Sequence, residues 1–398
     1  MKLSQLIMKL SHFACPALAL LTALPLHAAD PVVANVVPDQ RTGTKLVDIS
    51  FDVSDADSDT LSISVEISDD SGTTFLVPVT GLSGDISVAA TPTLASKALV
   101  WDAGVDFNQQ FNSSMVVRVI ADDGSAPGPP PAGMVLIPAG DFEMGQTGIA
   151  TPVHTVTVSA FYLDQFEVTK ALWDEVKTYA DAYGYTFSNS GSGVGVSQPV
   201  HTVNWYDCVK WCNARSEKEG LAPVYYTDAG FTAVYKNGKL TPIANWSANG
   251  YRLPTEAEWE KASRGRLEGN TYPWGNTIGG GDANYQTSGD PFDDGTTPVG
   301  YYDGGQVPAG EDRANGYGLY DMAGNVYEWC WDYSDIDYYG SSPATDPRGG
   351  TSASASGRRV LRGGSWSSSS NNLRCAYRGN SNPVSENNDI GFRSAKGL

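Results

Sequence analysis

The chain has 398 residues, with 26 basic against 45 acidic side chains, a formal charge of −19, and 41% hydrophobic residues that include ten Trp and twenty Tyr. That length exceeds one ordinary domain and supplies enough apolar surface for packed cores, so two globular units are expected. The acidic balance excludes nucleic acid as a partner, because neutralising phosphates requires basic patches.

The N-terminus carries Lys2 and Lys9, an apolar run from Phe13 to Leu26, and the small-residue site Leu26-His27-Ala28-Ala29. Residues 1–28 therefore read as a signal peptide, and the protein is expected to be exported, periplasmic or extracellular. The run is too short to span a bilayer and no later segment approaches eighteen apolar residues, so a membrane-spanning protein is not expected. Cys15, preceded by His12, Phe13 and Ala14, makes a poor lipoprotein signal. Cleavage removes two lysines and no acid, leaving the remainder still more acidic. Such acidity gives solubility, and it also suits divalent cations.

Residues 31–123 alternate in short runs such as VDISFDVSD, LSISVEISD, TTFLVPVTG, KALVWDAG and SMVVRVIADDG. Period-two alternation broken by turn residues predicts a small, Ig-like antiparallel β-sandwich with nothing catalytic in it. Its turn Asp55-Ala56-Asp57-Ser58-Asp59 spaces carboxylates like a Ca²⁺ loop but lacks the glycine and distal glutamate of an EF-hand, and reads better as a solvated turn. Residues 124–133 hold four prolines and form an extended spacer.

Residues 134–398 read as one α+β unit with abundant Gly and long irregular loops. Thr169 to Ala182 (TKALWDEVKTYADA) predicts an N-capped helix, Trp205 to Lys218 a second, and Thr255-Glu-Ala-Glu258 opens a third with a capping box. Cys208 and Cys212 share one face of the second helix. With Cys330 and Cys375 they make four thiols beyond residue 28, which leaves disulfides and packed thiols both open. Only His154 and His201 remain there, too few for a three-histidine metal centre, and each reads as a core or cap residue. No HExxH, no GxSxG elbow and no strand-to-helix phosphate loop is present.

Several segments together resemble one family. Met134-Val-Leu-Ile-Pro-Ala-Gly140, Phe142-Glu-Met-Gly145, Phe161-Tyr-Leu-Asp164, Glu167-Val-Thr169, Pro199-Val-His-Thr-Val-Asn-Trp205 and Tyr251-Arg-Leu-Pro-Thr-Glu-Ala-Glu-Trp-Glu260 come first. Tyr272-Pro-Trp-Gly-Asn276, Asn315 to Trp329, and a GGSW…RCAYR…GFR ending complete the set. In order and content these resemble the formylglycine-generating enzymes, or sulfatase-modifying factors. The resemblance implies a C-type-lectin-like fold whose loops are stabilised by Ca²⁺. It carries one site onto Asp321, Gly324, Val326 and Glu328, two carboxylates plus backbone carbonyls suited to a hard cation. A second would begin at Asn284 and Tyr285, with Asp290, Asp293 or Asp294 supplying its carboxylate although the spacing departs from the family's.

The same resemblance implies oxidation of a substrate cysteine by copper held between two thiolates. Those positions fall at Ser368 and near Ser370, in a loop shorter by about three residues. A hydroxyl is a hard ligand that keeps its proton and cannot replace thiolate for Cu(I), so copper is not expected here. The positions matching the usual disulfide partners of Cys212 and Cys375 are Ser394 and Ser263. The related sulfoxide synthases place metal ligands on an added helical domain, where this chain has a β-sandwich.

The favoured reading is a module that binds a protein or glycan, stabilised by Ca²⁺ as the resemblance implies. Ser365, Trp366, Arg374, Tyr377 and Arg378, set among Ser and Asn, would form its recognition surface. The segment also resembles the variable region of ligand-binding proteins diversified by retroelements. The competing reading is an oxidoreductase with altered metal ligation, using Cys330 beside Trp329 and Glu328.

Overall fold

The computed structural model describes residues 31–398 except 56–59, 70–76, 90, 92, 108–114, 123–129, 293 and 351–356. The expected signal peptide with Cys15, most of the Asp55–Asp59 turn, residues 124–129 of the spacer and Asp293 lie outside the described residues.

The N-terminal unit is two sheets over one core. Val32–Gln40, Leu46–Ser54, Ala95–Asp102 and Leu82–Gly84 form one in that order, and Ser87–Ala89, Thr60–Ser68 and Val116–Asp122 form the other. Alternate residues point inward, so Ile49, Phe51, Leu99 and Trp101 of one sheet meet Leu61, Ile63, Ile67 and Val119 of the other. The first strand escapes the sequence pattern. Its register slips between Ala34 and Val37, Asn35 has φ 52°, and Pro38 sits on a sheet edge, where a missing N–H costs no ladder bond. Burial works against the charge on Asp106, yet hydrogen bonds from Thr80, Gly81 and the Trp101 indole hold its carboxyl down to about 2.

The C-terminal unit closes on itself. Its first strand, Met134–Ile137, pairs with Phe161–Asp164, which pairs with the final strand Ala395–Gly397, so the two ends of the unit are joined in one sheet. A second sheet runs Gly379–Ser381, Arg359–Arg362, Tyr327–Tyr333 and Ile390–Gly391, the last pair parallel. Few helices, short sheets and long loops give the α+β, C-type-lectin-like architecture expected.

Three helices pack on these sheets. Lys170–Ala182 starts where the Thr169 hydroxyl accepts from Leu172 N, and Trp205–Lys218 where the Asn204 side chain accepts from Asp207 N. Glu256–Arg264 has the full Thr255/Glu258 capping box and ends on Gly265 at φ 57°. Between them lies an unusually aromatic core in which Trp173, Trp205, Trp211, Trp259 and Trp329 are fully buried.

All four described cysteines are free and fully buried, so the packed-thiol reading is the one realised. Ser263 donates to Cys375 Sγ at 3.4 Å, and Ser394 is drawn into the Asp164–Arg215 pair, its hydroxyl donating to Asp164 at 2.6 Å and accepting from Arg215 at 2.9 Å. At the two positions that the resemblance implies for partner half-cystines, a hydroxyl therefore bonds a neighbouring thiol or ion pair.

Candidate functional site

The GGSW turn organises the site. Gly363 and Gly364 follow the strand Arg359–Arg362 with φ of 87° and 75°, and a Cβ on Gly364 would lie 2.6 Å from Leu373 and 3.0 Å from Asn372 O. The turn sends Ser365 into the interior and leaves Trp366 partly exposed. Asn325, at φ 62°, ties the surroundings together. Its carbonyl accepts from Trp366 N at 2.9 Å and its N–H donates to Asn284 O at 2.9 Å. Its amide donates to Glu167 at 2.6 Å and accepts from Thr297 N at 3.0 Å. Gln286 N then donates to Ser368 O at 2.9 Å. Two stretches about eighty residues apart are thereby fixed as opposite walls of one cleft of about 540 Å³, with Asn284, Tyr285, Gln286 and Asp290 on one side and Trp366 and Ser367 on the other.

The positions that the resemblance would assign to copper thiolates, Ser368 and near Ser370, hold no sulfur. Ser368 is buried, with its hydroxyl 3.0 Å from that of Ser365, and Ser365 and Ser367 hydroxyls both donate to Asp389 Oδ2, at 3.2 and 3.0 Å. Ser370 opens a short turn whose carbonyl accepts from Tyr272 OH at 3.2 Å. Burial raises every thiol in the described chain, Cys375 to about 11 and Cys330 well above its usual range, so none supplies a thiolate at neutral pH. Copper does not fit this arrangement. Cys330, the fallback ligand of the oxidoreductase reading, is fully buried among Trp259, Met322 and Val360 and cannot meet a substrate.

The recognition surface expected from sequence divides. Trp366 lines the cleft, Tyr377 is half-buried, and Arg374 is half-buried with Asn371 as its partner. Ser365 is fully buried and serves the turn. Arg378, also expected there, is bound to Glu256 by two hydrogen bonds of 2.7 and 2.8 Å and lies over the Tyr339 ring, so its guanidinium is engaged within the fold. His154 packs edge-on against Tyr339 at 5.0 Å, and His201 meets the Thr202 hydroxyl at 2.9 Å with its pKa lowered by burial against the opposing charge of Asp389.

The expected calcium positions carry an unbalanced charge. Among the described residues Glu167 and Glu328 are buried and Asp321 is partly exposed, beside one cation, Arg393, and burial together with repulsion from Asp321 and Glu328 lifts Glu167 well above its usual range. Asp321 is raised to about 6, chiefly by burial, with the Gly300 N–H and Arg393 opposing. Glu328, however, is already committed: Arg393 Nε donates to both of its oxygens at 2.9 and 2.8 Å, and the Trp259 indole adds a bond of 2.8 Å. Among the described residues no group of three or more His, Cys, Asp or Glu side chains is spaced to hold a metal ion. A cation here would rest on Asp321 and the carbonyls of Gly324 and Val326, with Glu328 contributing charge. At the other position Asp290 is saturated by its own loop, accepting from Ser288 Oγ at 2.6 Å, Phe292 N at 2.8 Å and Tyr302 OH at 3.4 Å. Asn284 and Tyr285 instead become cleft wall.

Sequence reasoning missed Asn325, Glu167, Gln286 and Asp389, whose roles arise only when distant loops meet. One local signal existed after folding: Thr287 and Thr202 are β-branched yet left-handed, at φ 69° and 59°, a strain of about 1–3 kcal/mol each. Thr287 lines the cleft, and Thr202 N donates to Asn387 O beside the Asn388 carbonyl that accepts from the Trp366 indole.

Comparison with known proteins agrees with this architecture. The sulfatase-modifying factor enzyme 1-like domain matches residues 121–398. The formylglycine-generating enzyme of Streptomyces coelicolor is 34% identical over 299 residues, 66% of this chain and 88% of that enzyme. The chaperone protein LppX of Paenibacillus barcinonensis is 34% identical over 256 residues, 62% of this chain and 82% of LppX. Among solved structures, Treponema denticola variable protein 1 aligns with a TM-score of 0.54 at 32% identity, covering 67% of this chain and 95% of that one. No helix among the described residues is long and apolar enough to cross a membrane. The chain therefore belongs to the family of sulfatase-modifying factor enzyme 1-like domains.

Proposed function

We propose that this chain is an exported, Ca²⁺-stabilised binding module that uses the family's fold without its copper chemistry. The cleft beneath Trp366 holds a protein or glycan ligand. One observation carries the reading: where relatives are expected to present two thiolates, this chain presents Ser368 and Ser370, while its four described thiols are sealed in the core. Cu(I) selects soft sulfur, and serine hydroxyls offer none. Calcium is supported by three neighbouring carboxylates, Glu167 and Glu328 buried and Asp321 partly exposed, against one arginine, a deficit of positive charge that a hard cation on Asp321 and nearby carbonyls would relieve. Export rests on the composition of residues 1–28.

Competition against a Cu(I) chelator tests the proposal. The wild-type chain is expected to hold no copper, and the paired change Ser368→Cys with Ser370→Cys to create binding. Stoichiometric Cu(I) on the wild-type chain overturns it.

A further inference from the structure

The cleft beneath Trp366 has a composition that narrows its ligand. Its volume, about 540 Å³, is within the range usual for small-molecule sites. Two aromatic side chains, Tyr285 and Trp366, contribute its apolar surface, and the remaining lining is Asn, Gln, Thr, Ser, Gly and Asp. A lipid or other wholly apolar ligand would leave those polar groups desolvated without partners.

An anionic ligand is disfavoured as well. Among the described residues no Lys, Arg or His lines the cleft, whereas Asp290 and Asp294 do. A cation would gain little in return. Asp290 already accepts three hydrogen bonds within its own loop, and Asp294 is exposed, where water screens a charge pair.

What complements the cleft is an uncharged ligand with hydroxyls on its rim and a C–H face for the indole. Trp366 suits the second requirement. Its backbone N–H is held by Asn325 O and its indole N–H by Asn388 O at 3.4 Å, so the ring is positioned before a ligand arrives. Gln286 and Thr287 suit the first: both are exposed at the cleft wall, and their side-chain polar groups have no protein partner among the described residues. Amide and hydroxyl groups donate and accept, as sugar hydroxyls do.

We infer that the cleft between Trp366 and residues 284–290 binds a neutral saccharide, stacked on the indole and hydrogen-bonded by Gln286 and Thr287. The inference rests on the binding-module reading and narrows it to one ligand class.

The test is titration calorimetry of the full chain with cellotriose, maltotriose, chitotriose, a trigalacturonate and a lysine-rich peptide. At least one neutral trisaccharide is expected to bind, with trigalacturonate binding more weakly than its neutral counterparts. Trp366→Ala is expected to weaken binding about tenfold or more, the scale of one lost aromatic contact plus its buried surface. Gln286→Ala, at an exposed side chain that no fold contact uses, should weaken it several-fold while leaving the thermal transition unchanged, so the site stays testable if the Trp366 variant misfolds. Absence of neutral-saccharide binding at 10 mM, the concentration chosen for the assay as that of a weak single-site lectin (on the order of millimolar affinity), overturns the inference, as does saccharide binding that neither substitution alters. Peptide binding lost on Trp366→Ala, with no saccharide bound, sinks the saccharide assignment and leaves the binding module standing. Oxidation of a thiol substrate instead removes the reading beneath it.

Discussion

Replacing Arg393 by Met should be among the most damaging single changes in the C-terminal unit. Arg393 and Glu328 are both wholly buried, and the guanidinium donates to both Glu328 oxygens, to Tyr320 O at 2.9 Å, and to Asp164 O and Gln165 O at 3.2 Å each. Methionine fills similar space but donates nothing. Glu328 keeps one donor, the Trp259 indole, while Glu167 and Asp321 remain close and lose their neighbouring cation. Removing one partner of a buried pair costs about 3–5 kcal/mol, because the other charge is left desolvated. For a unit of this size that corresponds to a fall in Tm of roughly 6–20 °C. Urea unfolding followed by Trp fluorescence suits the measurement, since nine of the ten Trp lie beyond residue 134. Adding Glu328→Gln to Arg393→Met removes the stranded charge and keeps an acceptor for Trp259, so the double variant should regain at least half of the loss. A single variant within about 1 kcal/mol of wild type, or a double variant no better than the single, refutes the reasoning.

Three further outcomes follow from the same geometry. Asp321 has a folded pKa of about 6 against an ordinary 3.8, so the folded state holds its proton more tightly. Its contribution is then most favourable below about pH 4 and is lost as pH rises through about 6, by up to about 3 kcal/mol. In EDTA the C-terminal unit should therefore gain stability from pH 7 to pH 5 relative to Asp321→Asn, and saturating Ca²⁺ should abolish that difference; an Asn variant with the wild-type pH profile contradicts the account. Gly324→Ala should cost about 3 kcal/mol or more in chemical unfolding, because φ is 92° and a Cβ would lie 2.2 Å from Asn284 O. Finally, a chain beginning at residue 29 should show no thiol reactive to Ellman's reagent when native and four when denatured; rapid native labelling would place a cysteine outside the core.

Local chemistry made much of the fold legible. The Thr169 cap, the Trp205–Lys218 helix and the Thr255/Glu258 capping box are encoded within a few residues each, and the structure places them as the sequence implies. The order of the motifs carried the family, since shared segments spread over residues 134–398 fix loop geometry that no periodicity reports. The strand Val32–Gln40 was hidden by its bulge and its edge proline. The cleft was less accessible still. Trp366 was singled out as aromatic and C-terminal, but its facing wall comes from residues 284–290, and the link between them is the backbone and amide of Asn325, whose place in the Asn315 to Trp329 segment does not tell what it bonds. Arg378 and Ser365 read as surface because Arg and Ser usually are; Glu256 and Asp389 draw them inward.

The central claim is that this fold has exchanged thiol oxidation for binding. Mass spectrometry of a Cys-x-Pro-x-Arg peptide incubated with the full chain, copper and a reductant tests it most directly. The account predicts that the substrate sulfur is retained in full. Accumulation of the aldehyde product, with one copper bound per chain, would contradict it.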